Sequence, residues 1–318
     1  MTCRLLLAAL LALGFAPAQA QDYPARPIRI VVPYPAGGSA DLLPRIFAEK
    51  FHAKWGQPAL VENRPGAGGN IGAEFVYKAE PDGYTLFASA PGPLVVNQNL
   101  YRSLAFDPAQ FVPVSIMAAI PNVLLVNPRV PAHSLEEFIA YARANSDTLN
   151  YGSQGSGSTS HLTAELFKST TGLRLTHVPY KGSAPAVAAL LGGEIDLMFD
   201  NLGVTLAHVK SGKLRALAVC SERRVPSLPD VPAMAEILPG FVSVAWFGIV
   251  APPKTSPAVA EKLSAAVAEA IRSPEVRKRL AALSAEPVGD TPEQMAAFMR
   301  LEVERWKRVI DSAKVQAD

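Results

Sequence analysis

The fold is decided by a stretch near the start of the chain, Ile28-Arg29-Ile30-Val31-Val32-Pro33-Tyr34-Pro35-Ala36-Gly37-Gly38-Ser39-Ala40-Asp41. A run rich in β-branched residues ends at Pro33, a glycine-bearing turn follows, and apolar residues then recur at helical spacing from Leu42 to Trp55. β-branched runs favour strands, and apolar residues three to four positions apart favour one face of a helix. The stretch therefore predicts a strand, a loop and a helix.

The same order recurs along the rest of the chain. Strands are predicted at 59–61, 84–88, 149–152, 173–178, 195–199, 214–220 and 246–250, and helices at 71–78, 135–144, 159–170, 184–191, 204–210, 257–272, 275–283 and 292–312. Strands that alternate with helices are typical of parallel β-α-β units, so the fold class is predicted to be α/β. In the last helix, a core-facing stripe is expected from Met295, Phe298, Met299, Leu301 and Val303.

The length of 318 residues favours two domains, because a single hydrophobic core stops growing near this size. Two apolar extended stretches, 114–120 and 123–126, lead out of the first α/β unit, and a proline-rich segment at 222–239 leads back. We therefore expect a first domain of residues 21–122 plus 225–318 and a second domain of residues 123–224. A chain that crosses twice between domains makes a hinged cleft the natural place for a ligand.

The first twenty residues predict export. Arg4 precedes an apolar run from Leu5 to Phe15, and Ala18-Gln19-Ala20 fits a cleavage site, so residues 1–20 are interpreted as a signal peptide and the mature protein as periplasmic. The run is shorter than the roughly 20 residues that span a bilayer, which makes a retained anchor the weaker interpretation. Beyond it the only cysteine is Cys220, which excludes an intramolecular disulfide in the mature chain.

Charge patterning argues against polyanionic partners. The formal net charge is +2, and it becomes +1 when Arg4 is removed with the signal peptide. Basic and acidic residues are well mixed along the chain, so neither nucleic acid nor an anionic membrane surface is an expected partner. We expect a monomer.

The loop after the first strand is the first candidate binding site. Glycines let the backbone approach a bound group, and unpaired amides at the start of a helix attract anions, so this loop is a plausible cradle for a carboxylate. Asp41 either contacts a ligand or caps the following helix, and capping is preferred because Pro44 would then fall in the first turn. The candidate residues are Tyr34, Ala36, Gly37, Gly38, Ser39 and Asp41.

A second loop of the same kind, Ser153-Gln154-Gly155-Ser156-Gly157-Ser158-Thr159, precedes the helix at 159–170. Two such loops, one in each domain, would grip both ends of a diacid. Asp200 follows the strand at 195–199, where it either contacts the ligand or caps the next helix. Lys181 could meet a carboxylate or a partner, whereas the glycine-rich segment 63–70 is interpreted as structural. The candidates in this second domain are Ser153, Gly155, Ser156, Gly157, Ser158 and Asp200.

Motifs of other functional classes are missing from the sequence. It contains neither the dinucleotide fingerprint G-x-G-x-x-G nor the phosphate loop, and its five histidines lack metal-ligand spacing, so no cofactor and no metal are expected. No G-x-S-x-G elbow appears either. A hydrolase that uses Ser156 or Cys220 with His161 remains the rival hypothesis, and the preferred expectation is a protein that is not an enzyme.

Several motifs resemble those of a known family, the Bug-type extracytoplasmic solute-binding receptors of tripartite tricarboxylate transporters. The resemblance covers essentially the whole mature chain. The motifs are Tyr23-Pro24-Ala25-Arg26-Pro27-Ile28, Val32-Pro33-Tyr34-Pro35-Ala36-Gly37-Gly38, Val61-Glu62-Asn63-Arg64-Pro65-Gly66-Ala67-Gly68-Gly69, Asp82-Gly83-Tyr84-Thr85-Leu86, Val178-Pro179-Tyr180-Lys181-Gly182, Gly193-Glu194-Ile195-Asp196-Leu197-Met198-Phe199-Asp200-Asn201 and Gly212-Lys213-Leu214-Arg215-Ala216-Leu217-Ala218-Val219.

The resemblance implies a two-domain periplasmic-binding-protein type II fold with two interdomain crossovers. It implies capture of a small organic acid for uptake through a membrane permease, and a ligand-sensing receptor for a membrane signalling partner is the alternative. Carried over by motif, the ligand contacts are residues 34–41, Ser89 with its neighbours, residues 153–158 and Asp200. The text after Ser89 and after Asn201 departs from the family pattern, so the identity of the ligand does not transfer.

Overall fold

The computed structural model describes residues 23–146, 148–313 and 315, so the predicted signal peptide lies outside the described residues. The strands are β1 (Ile28–Val32), β2 (Ala59–Asn63), β3 (Thr85–Ser89), β4 (Val112–Val126), β5 (Asn150–Ser153), β6 (Thr176–Pro179), β7 (Leu197–Asn201), β8 (Arg215–Val219), β9 (Val244–Ala251) and β10 (Glu286–Pro287). The α-helices are α1 (Ser39–Trp55), α2 (Asn70–Tyr77), α3 (Leu135–Ala144), α4 (Thr159–Thr171), α5 (Ser183–Gly192), α6 (Leu202–Lys210), α7 (Pro257–Arg272), α8 (Pro274–Ala282) and α9 (Pro292–Ala313).

Two parallel strand groups confirm the α/β prediction. In the first group β1 pairs with β2 and β3, and in the second group β5 pairs with β6 and β7, all in parallel. The strand order is β2-β1-β3-β9-β4-β7-β5-β6, with β8 and β10 also paired to β4. The carboxyl ends of parallel strands lie at one edge of a sheet, so the loops that follow β1, β2 and β3 share an edge, as do the loops that follow β5, β6 and β7.

A single long strand joins the two groups. Residues 114–120 and 123–126 were expected as separate stretches, but β4 runs without interruption through Pro121. Its first part, Val112–Pro121, pairs with β9, and its second part, Asn122–Val126, pairs with β7. Proline lacks the N–H that a strand ladder uses, and Pro121 stands where β4 changes partner. This position tolerates proline, so the strand continues from one half of the molecule into the other.

The chain returns beside this change of partner. The amide of Cys220 donates to the carbonyl of Asn122 at 2.7 Å, and the amide of Asn122 donates to the carbonyl of Ser243 at 3.1 Å. The Asn122 side chain is fully buried and donates to Thr163 Oγ1 at 2.9 Å and to Ser243 Oγ at 3.2 Å, while its oxygen accepts from the side chain of Asn201. Both crossings are therefore joined through the backbone and side chain of one buried residue, Asn122.

The terminal helix α9 differs from its predicted stripe. Met295 and Met299 are buried, but Leu301 is 71% exposed and Glu302 is only 4% exposed. The Glu302 carboxylate accepts from the indole nitrogens of Trp246 and Trp306, each at 3.0 Å. A buried carboxylate is tolerated where hydrogen-bond donors surround it. The spacing of apolar residues in the sequence does not show where such donors lie, so it could not predict that Glu302 is buried. None of the described helices is long and apolar enough to span a bilayer.

Replacing Glu302 with alanine should lower the free energy of unfolding by about 3 kcal/mol, because two buried indole N–H groups lose their acceptor and Arg305 loses its ion-pair partner. Urea denaturation measures the change. The exposed Glu304, on the same helix, provides the control, and Glu304→Ala should change stability by less than about 0.5 kcal/mol. Equal losses of stability in Glu302→Ala and Glu304→Ala would contradict the role of Glu302 as a buried hydrogen-bond acceptor.

Candidate ligand-binding site

Two adjoining cavities lie where the loops after the parallel strands meet. The larger has a volume of about 480 Å³ and the smaller about 50 Å³. Both are bounded by the loop after β1 and by the loops after β5 and β6, and they share seven lining residues. The shared residues are Tyr34, Pro35, Gly92, Gln154, Ser158, Lys181 and Gly182. The cavities therefore form one site with an inner and an outer compartment.

Three helices begin at the smaller cavity. Ser39 is the first residue of α1, Thr159 of α4 and Ser183 of α5, and all three line its wall. The first amides of a helix have no partner within the helix and carry its positive dipole end. Within the described chain, no acceptor faces the amides of Ser39 or Ser183. The cavity is thus lined with oriented donors that suit an anion.

The hydroxyl of Ser39 is a further donor at this wall. Ser39 is 3% exposed, and its Oγ is the one buried side-chain nitrogen or oxygen among the described residues that has no hydrogen-bond partner. Buried polar groups in folded proteins are almost always paired, so an unpaired one on a cavity wall indicates a place for a polar ligand atom.

The structure brings most of the predicted residues to the cavities. Eight line a cavity wall: Tyr34, Ala36, Gly38, Ser39, Gly155, Ser156, Gly157 and Ser158. Five do not line either cavity: Gly37, Asp41, Ser89, Ser153 and Asp200. The amides of Gly37 and Gly155 donate within their own loops, to Asp41 Oδ2 and to Ser153 Oγ, each at 3.1 Å. The donors that face the smaller cavity are therefore those of the helix starts and not of these two glycines.

Asp41 does not cap α1, as the sequence had suggested. The capping residue is Gly38, Asp41 lies in the first turn, and Pro44 is inside the helix. Asp41 Oδ1 accepts from Arg45 and from Asn63 Nδ2, which also donates to the carbonyl of Tyr34 at 2.9 Å. Burial alone would raise the pKa of Asp41, but these hydrogen bonds and that from Gly37 lower it below its usual value. Asp41 thus anchors the loop to the end of β2.

Asp200 does not cap α6 either, because the capping position is Asn201 and Asp200 belongs to β7. Its buried carboxylate accepts from Gln154 Nε2, from Ser183 Oγ at 2.5 Å and from the amide of Asn201 at 2.7 Å. Burial raises the pKa of Asp200 to about 6, and the three hydrogen bonds oppose this increase. Gln154 and Ser183 both line the smaller cavity, so Asp200 positions two side chains of its wall by accepting hydrogen bonds from them.

Ser89 is the last residue of β3 and Ser153 is the last residue of β5, and each is followed closely by residues that line a cavity. Ser89 is buried, and its hydroxyl donates to the carbonyl of Ala90 at 2.9 Å. Burial raises the pKa of the neighbouring Tyr34 phenol to about 12, while its interaction with the Ser89 side chain opposes the increase. At neutral pH Tyr34 is therefore a neutral hydroxyl on the wall of both cavities.

Sequence reasoning missed one wall of the outer compartment. Residues Pro65–Gly69 line the larger cavity, although the segment was interpreted as structural. It follows β2, which is parallel to β1, so its loop reaches the same edge of the sheet as the loop that begins at Pro33. Because loops that follow parallel strands lie at the same edge of a sheet, the sequence could have placed this segment at the site. Tyr101 and Tyr180 complete this wall and give it an apolar, aromatic character.

Charge on the cavity walls is sparse. Among the described residues that line either cavity, Lys181 is the only basic side chain, and none is an aspartate or glutamate. Lys181 is exposed, so its ammonium group remains in contact with water. The electrostatics of the inner compartment are consequently set by helix dipoles and hydroxyl groups and not by a buried cation.

Loops from the two strand groups touch across the site. A Cβ atom added to Gly157 would lie 2.3 Å from Leu100 Cδ2, and one added to Gly38 would lie 4.0 Å from the Cβ of Ser183. A Cβ atom on Gly182 would lie 3.6 Å from the ring of Pro35. The glycines permit this close approach, and the cavities are enclosed between the two groups.

Comparison with known proteins identifies the family. The sequence model of the receptor of the tripartite tricarboxylate transporter family, TctC, matches residues 43–315. The chain belongs to this family. It is 41% identical to the protein BugT of Bordetella pertussis over 298 residues, which cover 93% of this chain and 91% of BugT.

Solved structures agree with this family. A protein of R. palustris solved with adipate is 38% identical, with a TM-score of 0.90 over 93% of this chain and 99% of that one. MatC from Rhodopseudomonas palustris with bound malate is 34% identical, with a TM-score of 0.85 over 91% of this chain and 100% of that one. The fold is that of a periplasmic-binding-protein type II receptor, as the sequence motifs implied. Receptors of this family are extracytoplasmic solute-binding proteins.

The pH dependence of stability should report on Asp200. Its pKa of about 6 in the folded protein exceeds the 3.8 of the free side chain, so the folded state binds the proton more tightly. The free energy of unfolding should therefore fall, by on the order of 3 kcal/mol, as pH rises from about 4 to 6.

Urea denaturation between pH 4 and pH 7 measures how the free energy of unfolding changes with pH in the wild type and in Asp200→Asn. The variant lacks the titrating carboxyl group, so the decrease that Asp200 causes should be missing. Asp230→Asn, at an exposed position, should keep the wild-type slope. Parallel curves for the wild type and Asp200→Asn would show that Asp200 does not gain its proton in this range.

Proposed function

We propose that this chain is a periplasmic solute-binding protein that captures a small organic carboxylate between its two lobes and delivers it to a membrane permease without changing it chemically. The observation that carries the proposal is the unpaired, buried hydroxyl of Ser39 at a small cavity lined by three helix starts. An oxygen of a carboxylate would accept from this hydroxyl and from the neighbouring amides.

The two compartments suit different parts of such a ligand. The inner cavity, at about 50 Å³, accommodates a group of a few atoms such as one carboxylate. The outer cavity, at about 480 Å³, would accommodate the body of the ligand against tyrosine, proline and glycine residues. In the proteins solved with adipate and malate the ligands are also dicarboxylates, which supports this class for the present chain. A second carboxylate would lie near Lys181, where water also reaches.

We propose that the lobes are residues 21–122 plus 225–318 and residues 123–224. The change of partner within β4 at residues 121–122 supports the first boundary, and the return through Cys220 and Ser243 supports the second. Closure would then bend the chain at these two crossings. We further propose that the protein is a monomer.

The alternative to transport is ligand sensing, in which a membrane signalling protein would take the place of the permease and the same cleft would bind the ligand. Identification of the membrane protein that co-purifies with this chain distinguishes transport from sensing.

The geometry opposes the rival hydrolase. His161 Nδ1 accepts from the amide of Gly157, so this nitrogen is not available to activate a serine. Cys220 is fully buried, and burial raises the pKa of its thiol, which disfavours the nucleophilic thiolate. These contacts support a binding function without catalysis.

A thermal-shift screen of the mature protein against mono-, di- and tricarboxylates and aromatic acids tests the proposal. A ligand that binds only the folded state raises the melting temperature, by an amount that grows with the ratio of its concentration to Kd. At least one carboxylate should produce a concentration-dependent increase, and its amide analogue should not. If no member of these classes shifts the melting temperature, the proposed function is wrong.

Ser39→Ala should separate binding from folding. Loss of a hydroxyl that donates to a charged group should weaken binding of the ligand found in the screen by about ten- to hundred-fold. Stability of the ligand-free protein should stay the same or rise, because no existing hydrogen bond is lost. Calorimetric titration and urea denaturation measure the two effects.

Ser264→Ala is the matched control. Ser264 is 6% exposed, lies on α7 and donates to the carbonyl of Asp290 at 3.0 Å, away from both cavities. Its replacement should lower stability by about 1 kcal/mol and leave affinity unchanged. The assignment of Ser39 would be contradicted by a variant that binds as tightly as the wild type.

A further inference from the structure

Two histidine rings lie directly beneath the loop that bounds both cavities in the second lobe. His161 on α4 and His177 on β6 are stacked, with ring centroids 4.0 Å apart and an interplanar angle of 5°. Tyr151 on β5 extends the stack, with its ring centroid 4.8 Å from that of His177. No part of the proposed carboxylate site explains this arrangement, because neither histidine lines a cavity.

Each ring holds one end of the loop. The amide of Gly157 donates to His161 Nδ1 at 3.1 Å, and the amide of His161 donates to Ser158 Oγ at 3.2 Å. His177 Nε2 lies 2.7 Å from Ser153 Oγ, which accepts from the amide of Gly155 at 3.1 Å. Ser153 Oγ therefore joins the ring of His177 to the backbone of Gly155 through two hydrogen bonds.

This hydrogen bonding requires an unprotonated nitrogen on His161. A nitrogen that accepts from an amide carries no proton, so the proton of neutral His161 is on Nε2, which is 3.8 Å from Glu165 Oε1. A proton added to Nδ1 would place two N–H groups against each other. His161 therefore acts here as a neutral acceptor.

We propose that His161 and His177 are positioning residues for ligand binding: the unprotonated Nδ1 of His161 and the hydrogen bond between His177 Nε2 and Ser153 Oγ hold residues 153–158 in the conformation that bounds the two cavities. This inference rests on the proposed function. Ser156 and Ser158 line the cavities, and Gly157, at a φ of 77°, is the point where the loop meets Leu100 of the other lobe. A loop that loses its acceptor would lose both the wall and this contact.

The surroundings keep both rings neutral. Burial lowers the pKa of His161 to about 4, and the charge of Lys168 lowers it further. Burial lowers the pKa of His177 to about 3, with contributions from His161 and Lys168, while Glu165 opposes them. The remaining ionisable group that faces the stack is Tyr151, which donates to Glu165, the same carboxylate that accepts from Lys168 at 2.7 Å. The loop is therefore held across the neutral pH range, and protonation of His161 would release it only in acid near pH 4.

Two substitutions at His161 distinguish a positioning role from a merely structural one. Asparagine places an oxygen close to the position of Nδ1 and does not titrate in acid, whereas leucine fills the space without an acceptor. Affinity for adipate and for malate, measured by calorimetry at pH 7, should fall about ten-fold or more in His161→Leu and stay within about three-fold of the wild type in His161→Asn. His133→Leu, at an exposed histidine of the same lobe, is the control and should bind as the wild type does.

Acid should add a second difference. Between pH 7 and pH 4 the affinity of the wild type should fall about two-fold more than that of His161→Asn, since half of the His161 rings gain a proton near pH 4. Protonation of the probe itself affects both proteins equally, so it cancels in this comparison. Equal affinities of His161→Leu and His161→Asn at pH 7, or identical acid profiles of the wild type and His161→Asn, would overturn the proposal.

A measurement without ligand separates this proposal from the proposed function. Nitrogen-15 NMR of the unliganded protein at pH 7 should show His161 Nδ1 unprotonated. The Gly157 amide should exchange slowly with solvent in the wild type and in His161→Asn but at least about ten-fold faster in His161→Leu. If adipate and malate fail to bind but these results hold, the loop assignment stands and the ligand class is wrong. Fast exchange in all three proteins would refute the assignment itself.

Discussion

The architecture depends on one buried amide, the side chain of Asn122, at the point where β4 leaves β9 and begins to pair with β7. At this position the first crossing, the return strand and helix α4 meet, and Asn122 hydrogen-bonds to Ser243, Thr163 and Asn201. A buried amide must have its partners in place, so this position tolerates few alternative arrangements of the two lobes. The point where β4 changes partner thus has a defined geometry.

The same network continues to the cavity wall. Asn201 links Asn122 to the inner cavity, because its oxygen accepts from Gln154 at 3.3 Å and the residue itself lines the wall. Gln154 also donates to Asp200, which in turn holds Ser183 at the start of α5. A change of lobe angle at Asn122 would therefore be felt by side chains that surround the ligand. This chain of hydrogen bonds physically connects the change of strand partner in β4 to the wall of the binding site.

Sequence patterns predicted the local elements well and the long-range contacts poorly. Helices such as 135–144 and 257–272 match their predicted bounds because apolar spacing is a local property. Residues 114–120 and 123–126 were expected as two separate stretches, but the strands that pair with β4 on either side of Pro121, β9 and β7, are distant in the sequence. In the same way, Asp41 was assigned as a cap by local rules, whereas Asn63 from β2 decides its position. Glu302 and its partner Trp246 also meet only in the folded chain.

The absence of a buried cation from the described cavity walls has a consequence for how the receptor closes. A buried arginine would need a compensating charge in the unliganded protein, whereas helix amides and hydroxyls need only a polar neighbour. The buried Ser39 hydroxyl has no hydrogen-bond partner within the described protein, and an unpaired buried polar group costs about 1–3 kcal/mol. If the proposed cleft opens, water would satisfy this hydroxyl, and closure without a ligand would carry that cost. A carboxylate oxygen would remove this cost and thereby contribute a factor of about five to 150 to the differential affinity that favours a closed form.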